Sequence, residues 1–313
     1  MPREYGGVKV IEVEGLRKSY AGIEAVRGVS FHVDEGEVLA VLGPNGAGKT
    51  TTVEILEGYR SRDGGRATVL GIDPASGSAE LRQRIGIVLQ ECGISPYLTV
   101  TEVLRKHAGY YRSSRAVDEV IALVGLEEKA ASRTKTLSGG QQRRLDLALG
   151  LIGDPEVLFL DEPTTGFDPS ARRHAWEVVR NLGALGKTIL LTTHYMEEAQ
   201  VLADRVVVIA AGAIVAEGTP ESIGGRAEAD AQIRFLLPDG VVLEDLPIPG
   251  QPDGNGAVVI ETDEPTKVLH RLTGWSLERG RELDGLSVSR PSLEDVYLAL
   301  TATAEDDGSR GAE

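Results

Sequence analysis

Two places in this chain carry residues whose types and order can handle a phosphorylated ligand. The first is the run Gly43, Pro44, Asn45, Gly46, Ala47, Gly48, Lys49, Thr50 and Thr51. It fits a phosphate cradle, a glycine followed by four variable residues and then Gly-Lys-Thr. Backbone N–H groups of such a turn converge on one anion. The ammonium of Lys49 can reach the β- and γ-phosphates of a nucleotide, and the Thr50 hydroxyl can ligate Mg²⁺. The second place is the apolar run Val157-Leu158-Phe159-Leu160, which ends in Asp161 and Glu162. Neighbouring residues at a strand end point in different directions. Asp161 is therefore placed to hold Mg²⁺ through water, and Glu162 to polarise an attacking water.

These groups work only if the chain holds them rigidly. Residues 37–42 read as a short buried strand and residues 51–57 as the start of a helix, so the cradle sits between strand and helix. A helix N-terminus adds unpaired donors and partial positive charge. Leu137-Ser138-Gly139-Gly140-Gln141 precedes another helical run, which makes Ser138, Gly139 and Gly140 a second anion site by the same physics. Gly166-Phe167-Asp168-Pro169 and Thr192-Thr193-His194 follow in order. Strands at 157–160, 188–192 and 206–209 alternate with helices at 170–181 and 195–202. That alternation predicts a mostly parallel sheet covered by helices, with ligands at the carboxyl ends of the strands.

In this order the motifs resemble the ATP-binding subunits of ABC transporters, over roughly residues 8–220. The resemblance implies an α/β phosphate-loop ATPase fold with antiparallel β and helical subdomains, and ATP with Mg²⁺ as ligands. It further implies that Tyr20 stacks on adenine, and that Gln90 reaches Mg²⁺ and the attacking water while sensing the transport partner. His194 corresponds to a switch histidine at the γ-phosphate. Ser138, Gly139, Gly140 and Gln141 correspond to the signature that covers the nucleotide of a second subunit. The active unit implied is a head-to-tail homodimer with two ATP between its subunits. Asp168 belongs to a loop that touches the partner across that dimer.

Composition bounds the rest. The net charge of −15 argues against a nucleic-acid partner, which selects for a basic patch. Its one cysteine, Cys92, excludes an intramolecular disulfide and fits a reducing cytosol. No apolar stretch reaches the roughly 20 residues a membrane-crossing helix needs. The best candidate, residues 206–216, reads as two strands joined at Ala211-Gly212. No apolar signal segment follows Met1. The expected location is cytoplasmic, peripheral at the inner face of the membrane through a separate integral-membrane permease. His32, His107, His174 and His270 show no metal-ligand spacing.

Residues 221–313 hold 19 acidic and 8 basic residues, a shift that places a boundary near Pro220. The expected organisation is an ABC ATP-binding domain over 1–220, an accessory α+β domain over 221–304, and a disordered acidic tail over 305–313. Further expectations are a hairpin of 30–33 with 37–42 around Asp34-Glu35-Gly36, and a helix capped by Thr99 and Glu102 running to Tyr111. In the second domain, strands are expected at 233–237, 241–243, 257–261 and 286–288, and helices at 265–274 and 292–300. The segment 290–300, with Arg143-Arg144-Leu145-Asp146-Leu147 and residues 192–199, resembles the drug-resistance group of these ATPases, the daunorubicin-type exporters. The function implied is ATP-driven efflux of drugs or small hydrophobic compounds. The alternatives are a polysaccharide or lipid exporter and a nutrient importer.

Overall fold

The computed structural model describes residues 7–88, 93–225, 229–238, 240–253 and 256–298. The chain divides into two compact units, with the break between Pro220 and Glu221.

The first unit is built on two sheets. Strands β1 (Lys9–Tyr20) and β2 (Ile23–Asp34) form a long antiparallel hairpin, and β4 (Gly64–Val69) joins the other edge of β1. The β1–β2 turn is Ala21-Gly22, both residues at positive φ, as two-residue hairpin turns demand. The second sheet has six strands. From one edge they are β5 (Ile85–Val88), β6 (Val157–Asp161), β7 (Thr188–Thr193), β3 (Val38–Leu42), β8 (Arg205–Ala210) and β9 (Ala213–Gly218). All neighbours are parallel except β8 and β9, the pair joined at Ala211-Gly212 as the sequence suggested.

The expected hairpin around Asp34-Glu35-Gly36 is a correction. The turn exists, but β2 and β3 belong to different sheets. Every residue of β3 is buried, and it lies between β7 and β8. A strand buried on both faces suits a parallel sheet interior, and the turn hands the chain from one sheet to the other. Helix α1 (Lys49–Leu56) lies between the sheets and packs Val53, Ile55 and Leu56 into one core with Ile11, Phe31, Val41 and Phe159.

Helices α2 (Ala79–Arg84), α3 (Val100–Ala108), α4 (Val117–Leu123), α5 (Gly139–Leu151), α6 (Pro169–Ala184) and α7 (Met196–Leu202) complete this unit. The capping box of α3 forms as read: Thr99 Oγ1 accepts from the Glu102 N–H, and Glu102 returns a bond to the Thr99 N–H. The helix stops at Ala108 rather than Tyr111, because Gly109 ends it.

The second unit is an antiparallel sheet with one long helix. Its strands are β10 (Ala231–Leu236), β11 (Gln251–Pro252), β12 (Ala257–Thr262) and β13 (Ser287–Ser289), in the order β11-β12-β10-β13. Alternate residues Ile233 and Phe235 of β10, with Val258 and Ile260 of β12, meet Leu272 and Trp275 of helix α8 (Pro265–Glu278). The strand expected at 241–243 is absent. Residues 243–245 form a short 3₁₀ turn instead, with the Asp245 carboxylate accepting from the Val242 N–H. At this turn Val241 and Leu243 pack against the core of the second unit, so the apolar run is used without strand pairing. The final helix is described over 293–298 and opens on Ser292, whose hydroxyl accepts from the Asp295 N–H. Leu300 and the expected tail at 305–313 lie outside the described residues.

Candidate active site

The cradle runs from the end of β3 to the start of α1. The helix begins at Lys49, earlier than the sequence suggested, so Thr50 and Thr51 stand in its first turn. Two glycines are obligatory for a steric reason. A Cβ on Gly43 would lie 2.3 Å from the carbonyl oxygen of Ile209, and one on Gly48, at φ +101°, would lie 2.3 Å from that of Ala25. The loop therefore rests directly on β8 and β2. The Ala47 N–H donates to Pro44 O at 3.2 Å, and Ala47 O accepts from the Gly212 N–H at 3.1 Å. Lys49 is buried and bends over its own loop, donating to Gly43 O at 2.7 Å and Pro44 O at 3.1 Å. Burial lowers its pKa, while Glu162 and Asp161 act in the opposite direction. Asn45, Gly46 and Thr50 are exposed.

Parallel register brings the other groups to the same edge. Thr192 of β7 pairs with Val41 of β3 on one side and with Asp161 of β6 on the other. Asp161 Oδ1 accepts from the Thr192 hydroxyl at 2.5 Å. Glu162, the first residue past β6, has φ +46°, a conformation uncommon for any residue but glycine. Its N–H is shared between Thr192 O and Thr192 Oγ1, both at 3.1 Å. One carboxylate oxygen stands 3.2 Å from His194 Nδ1, a close contact without the alignment of a hydrogen bond. The other accepts from the Thr165 hydroxyl at 3.1 Å. His194 in turn lies beside Tyr195, with ring centroids 4.1 Å apart.

Electrostatics separate the two carboxylates. Burial pushes Asp161 upward, and Glu162 and Glu54 add to that against Thr192 and Lys49. Burial also pulls Glu162 upward, but His194, the Thr165 hydroxyl and Lys49 together hold it below its ordinary value. Adjacent carboxyls driven in opposite directions are a signature of divided chemical roles. The sequence marks Thr192 only as a strand end within the Thr192-Thr193-His194 run and Thr165 not at all, and it assigns neither of them the task of holding these carboxylates.

The remaining candidates fall at several places. Ser138 and Gln141 form a capping box at the N-terminus of α5: Ser138 Oγ accepts from the Gln141 N–H at 3.3 Å, and Gln141 Oε1 accepts from the Ser138 N–H at 3.0 Å. Their hydrogen bonds close the helix and do not reach the cradle. Asp168 caps α6, accepting from the Ser170 and Ala171 N–H groups at 2.9 Å. Tyr20, at the end of β1, is partly exposed, with Lys18 Nζ and the Arg60 guanidinium each 5.5 Å from its ring centroid. Arg60 is fastened to Glu54 of α1. Gln90 lies outside the described residues, just past the end of β5.

A glycine cradle closed by a lysine, a divided carboxylate pair and an imidazole against one of them form the equipment of a nucleoside-triphosphate hydrolase. Comparison with known proteins narrows that class. The family model for the ABC transporter matches residues 26–165, and a model of the ABC transporter domain-containing protein-like C-terminal domain matches residues 231–292. The chain is 41% identical over 304 residues to Nod factor export ATP-binding protein I of Burkholderia pseudomallei (strain 1710b), covering 94% of this chain and 97% of that one. It is 38% identical over 322 residues to the daunorubicin/doxorubicin resistance ATP-binding protein of Streptomyces peucetius, covering 96% and 95%. A solved dimeric ATP-binding cassette in a post-hydrolysis state, bound to ADP and Pi, matches with TM-score 0.61 at 25% identity, over 67% of this chain and 98% of that one. The chain belongs to the family of ABC transporter ATP-binding proteins: it has the ABC ATPase fold, and its activity is ATP hydrolysis coupled to transport. No helix among the described residues is long and apolar enough to cross a membrane.

Proposed function

We propose that this chain is the ATP-hydrolysing subunit of an exporter that expels drugs or other small hydrophobic compounds through a separate membrane permease, from the cytoplasmic face. The cargo class rests on likeness over nearly the whole chain to a daunorubicin/doxorubicin resistance protein. Comparable likeness to a Nod factor export protein favours a second reading, with a Nod factor as cargo. Efflux assays with the cognate permease separate the two.

In the proposed mechanism the cradle N–H groups and Lys49 bind the β- and γ-phosphates, and Tyr20 stacks on the base. Thr50 and Asp161 would hold Mg²⁺, with Gln90 reaching toward it. The donor set fits that ion. Asp161 is a carboxylate raised by burial and by neighbouring acids, so a cation there relieves it. Bound there, Mg²⁺ would neutralise charge developing on the phosphates.

Glu162, held below its ordinary carboxylate range, accepts a proton from the attacking water, and His194, 3.2 Å from that carboxylate, would contact the γ-phosphate. The Ser138 hydroxyl accepts within its cap and keeps its own O–H to donate. With Gly139, Gly140 and Gln141 it covers the nucleotide of a second copy in a head-to-tail dimer, and Asp168 supports the neighbouring loop. The observation that carries this reading is the opposed pair at the end of β6. Glu162→Gln should retain ATP binding, lower turnover by about 10²–10⁴-fold, and accumulate an ATP-bound dimer. Steady-state hydrolysis and light scattering test it, and near-native hydrolysis by this variant would falsify the general-base role.

A further inference from the structure

Arg143 lies in the second turn of α5, the helix that opens on Ser138. Its guanidinium is buried, yet it does not point along its own helix alone. Nε donates to Pro163 O at 3.3 Å, and Nη2 donates to Glu162 O at 3.1 Å and Asp161 O at 3.3 Å. Nη1 stands 3.8 Å from the buried carboxylate of Asp146, one turn further on. One side chain thus grips three consecutive carbonyls of the loop that carries both strand-end acids.

We propose that Arg143 is a positioning residue for Glu162, fixing the backbone from which that carboxylate is aimed and tying it to the signature helix. A glutamate at φ +46° persists only where its surroundings over-determine it. The hydrogen bonds that hold Glu162 lie on opposite sides of the residue. Its N–H is held by Thr192 of β7, and its C=O, with the carbonyls before and after, is held by Arg143 of α5. Releasing the second clamp frees the peptide to relax toward ordinary φ, which swings the carboxylate away from His194 and Thr165. A planar fork of five donors suits three converging carbonyls, whereas an ammonium is a single compact point. Arg143 and Ser138 share α5, so a displacement of the end that meets the partner's nucleotide moves the clamp on this chain's own base. This rests on the reading that Glu162 polarises the attacking water.

The test is Arg143→Lys in the full chain, measured beside Glu162→Gln. Lysine keeps the charge that faces Asp146 but cannot hold three carbonyls at once, so it loosens the clamp while sparing the ion pair. If Arg143 aims the base, Arg143→Lys should lower kcat at least tenfold while KM and the ATP dissociation constant stay within about twofold and ATP still drives dimerisation. A native kcat, or a loss confined to ATP affinity, overturns the proposal. Should that variant not fold, the paired change Arg143→Gln with Asp146→Asn removes both charges together and is held to the same criterion. Inactive Glu162→Gln with native-like Arg143→Lys refutes the clamp alone. Near-native Glu162→Gln refutes the base assignment and the clamp with it.

Discussion

The cradle and the carboxylate loop stand on adjacent parts of one sheet edge, yet they are held in different ways. The cradle is shaped by what is missing. Side-chain atoms at Gly43 and Gly48 would collide with the backbones of β8 and β2, and its closing bonds run between main-chain atoms or from its own lysine. The carboxylate loop is shaped by side chains that arrive from elsewhere: Thr192 and His194 from β7 and its end, and Arg143 from α5. Thr164 within the loop donates to the buried Glu198 of α7 at 2.9 Å, an oxygen that also accepts from Trp176 of α6 at 3.0 Å. A phosphate cradle needs backbone donors in a fixed shell, so glycines suffice. A base must be aimed, and aiming takes several elements acting at once.

That contrast can be broken most severely at Gly48. Gly48→Ala adds an atom where only 2.3 Å separates it from a backbone oxygen, at a φ that L side chains resist. A steric change of this kind costs about 3 kcal/mol or more. ATP affinity should fall more than a hundredfold, with a clear drop in the unfolding midpoint. Calorimetry and thermal denaturation report both. A variant that binds ATP normally would show that the cradle's backbone can shift to admit a Cβ.

The same contrast explains what the sequence discloses. The cradle is legible because a backbone requirement leaves glycines at fixed spacing, and the end of β6 is legible because an apolar strand stops at two acids. The clamp is not. Arg143 and Arg144 are identical neighbours in sequence, but one is buried on three carbonyls while the other is half-buried and donates to Gly125 O at 2.8 Å. Nothing in composition separates them. The hairpin misread at Asp34-Glu35-Gly36 fails for a related reason: local residues specify a turn, while the sheet each strand joins is decided by distant partners. At 241–243 the apolar residues suited a strand, but Val241 and Leu243 reach the core of the second unit from a turn instead.

Glu57 sharpens the point from beneath the cradle. It ends α1, where the sequence shows an ordinary helical acid, but it is buried, and its Oε1 has no hydrogen-bond partner among the described residues. Burial, with Asp161 and Glu54 adding repulsion, raises its pKa to about 8. The folded chain then keeps this proton up to about pH 8, whereas the unfolded chain releases it near the ordinary 4.5. Its contribution to stability is therefore greatest below that lower value, falls as pH rises through the window, and levels off above about 8. Glu57→Gln removes the titration. Between pH 5.5 and 7 the native chain should lose about 2 kcal/mol relative to this variant, at roughly 1.4 kcal/mol per pH unit. Urea unfolding at both pH values measures the difference, and parallel curves for the two proteins would refute it.

The smallest expected effect concerns the base, where neither kind of holding is at work. Tyr20 offers a ring face at the end of a strand, and stacking on an aromatic ring tolerates any base because each has a π-face. The cations beside it, Lys18 and Arg60, are engaged by Asp63 at 2.8 Å and by Glu54 respectively, so their charge steadies the ring and its surroundings. A pocket that discriminates bases strongly has buried polar groups left unpaired by the wrong ligand, and Tyr20 is itself partly exposed. GTP should therefore be hydrolysed within about tenfold of ATP, a difference of no more than about 1.4 kcal/mol. Tyr20→Phe should leave both rates almost unchanged, while Tyr20→Ala should weaken both nucleotides alike, by about 1–3 kcal/mol of lost stacking. Competition assays with the two triphosphates decide it. A thousandfold preference for ATP would mean that the edge of the base is read by a side chain held as firmly as Glu162, and the contrast between a site that cradles and a site that aims would then extend to the adenine end as well.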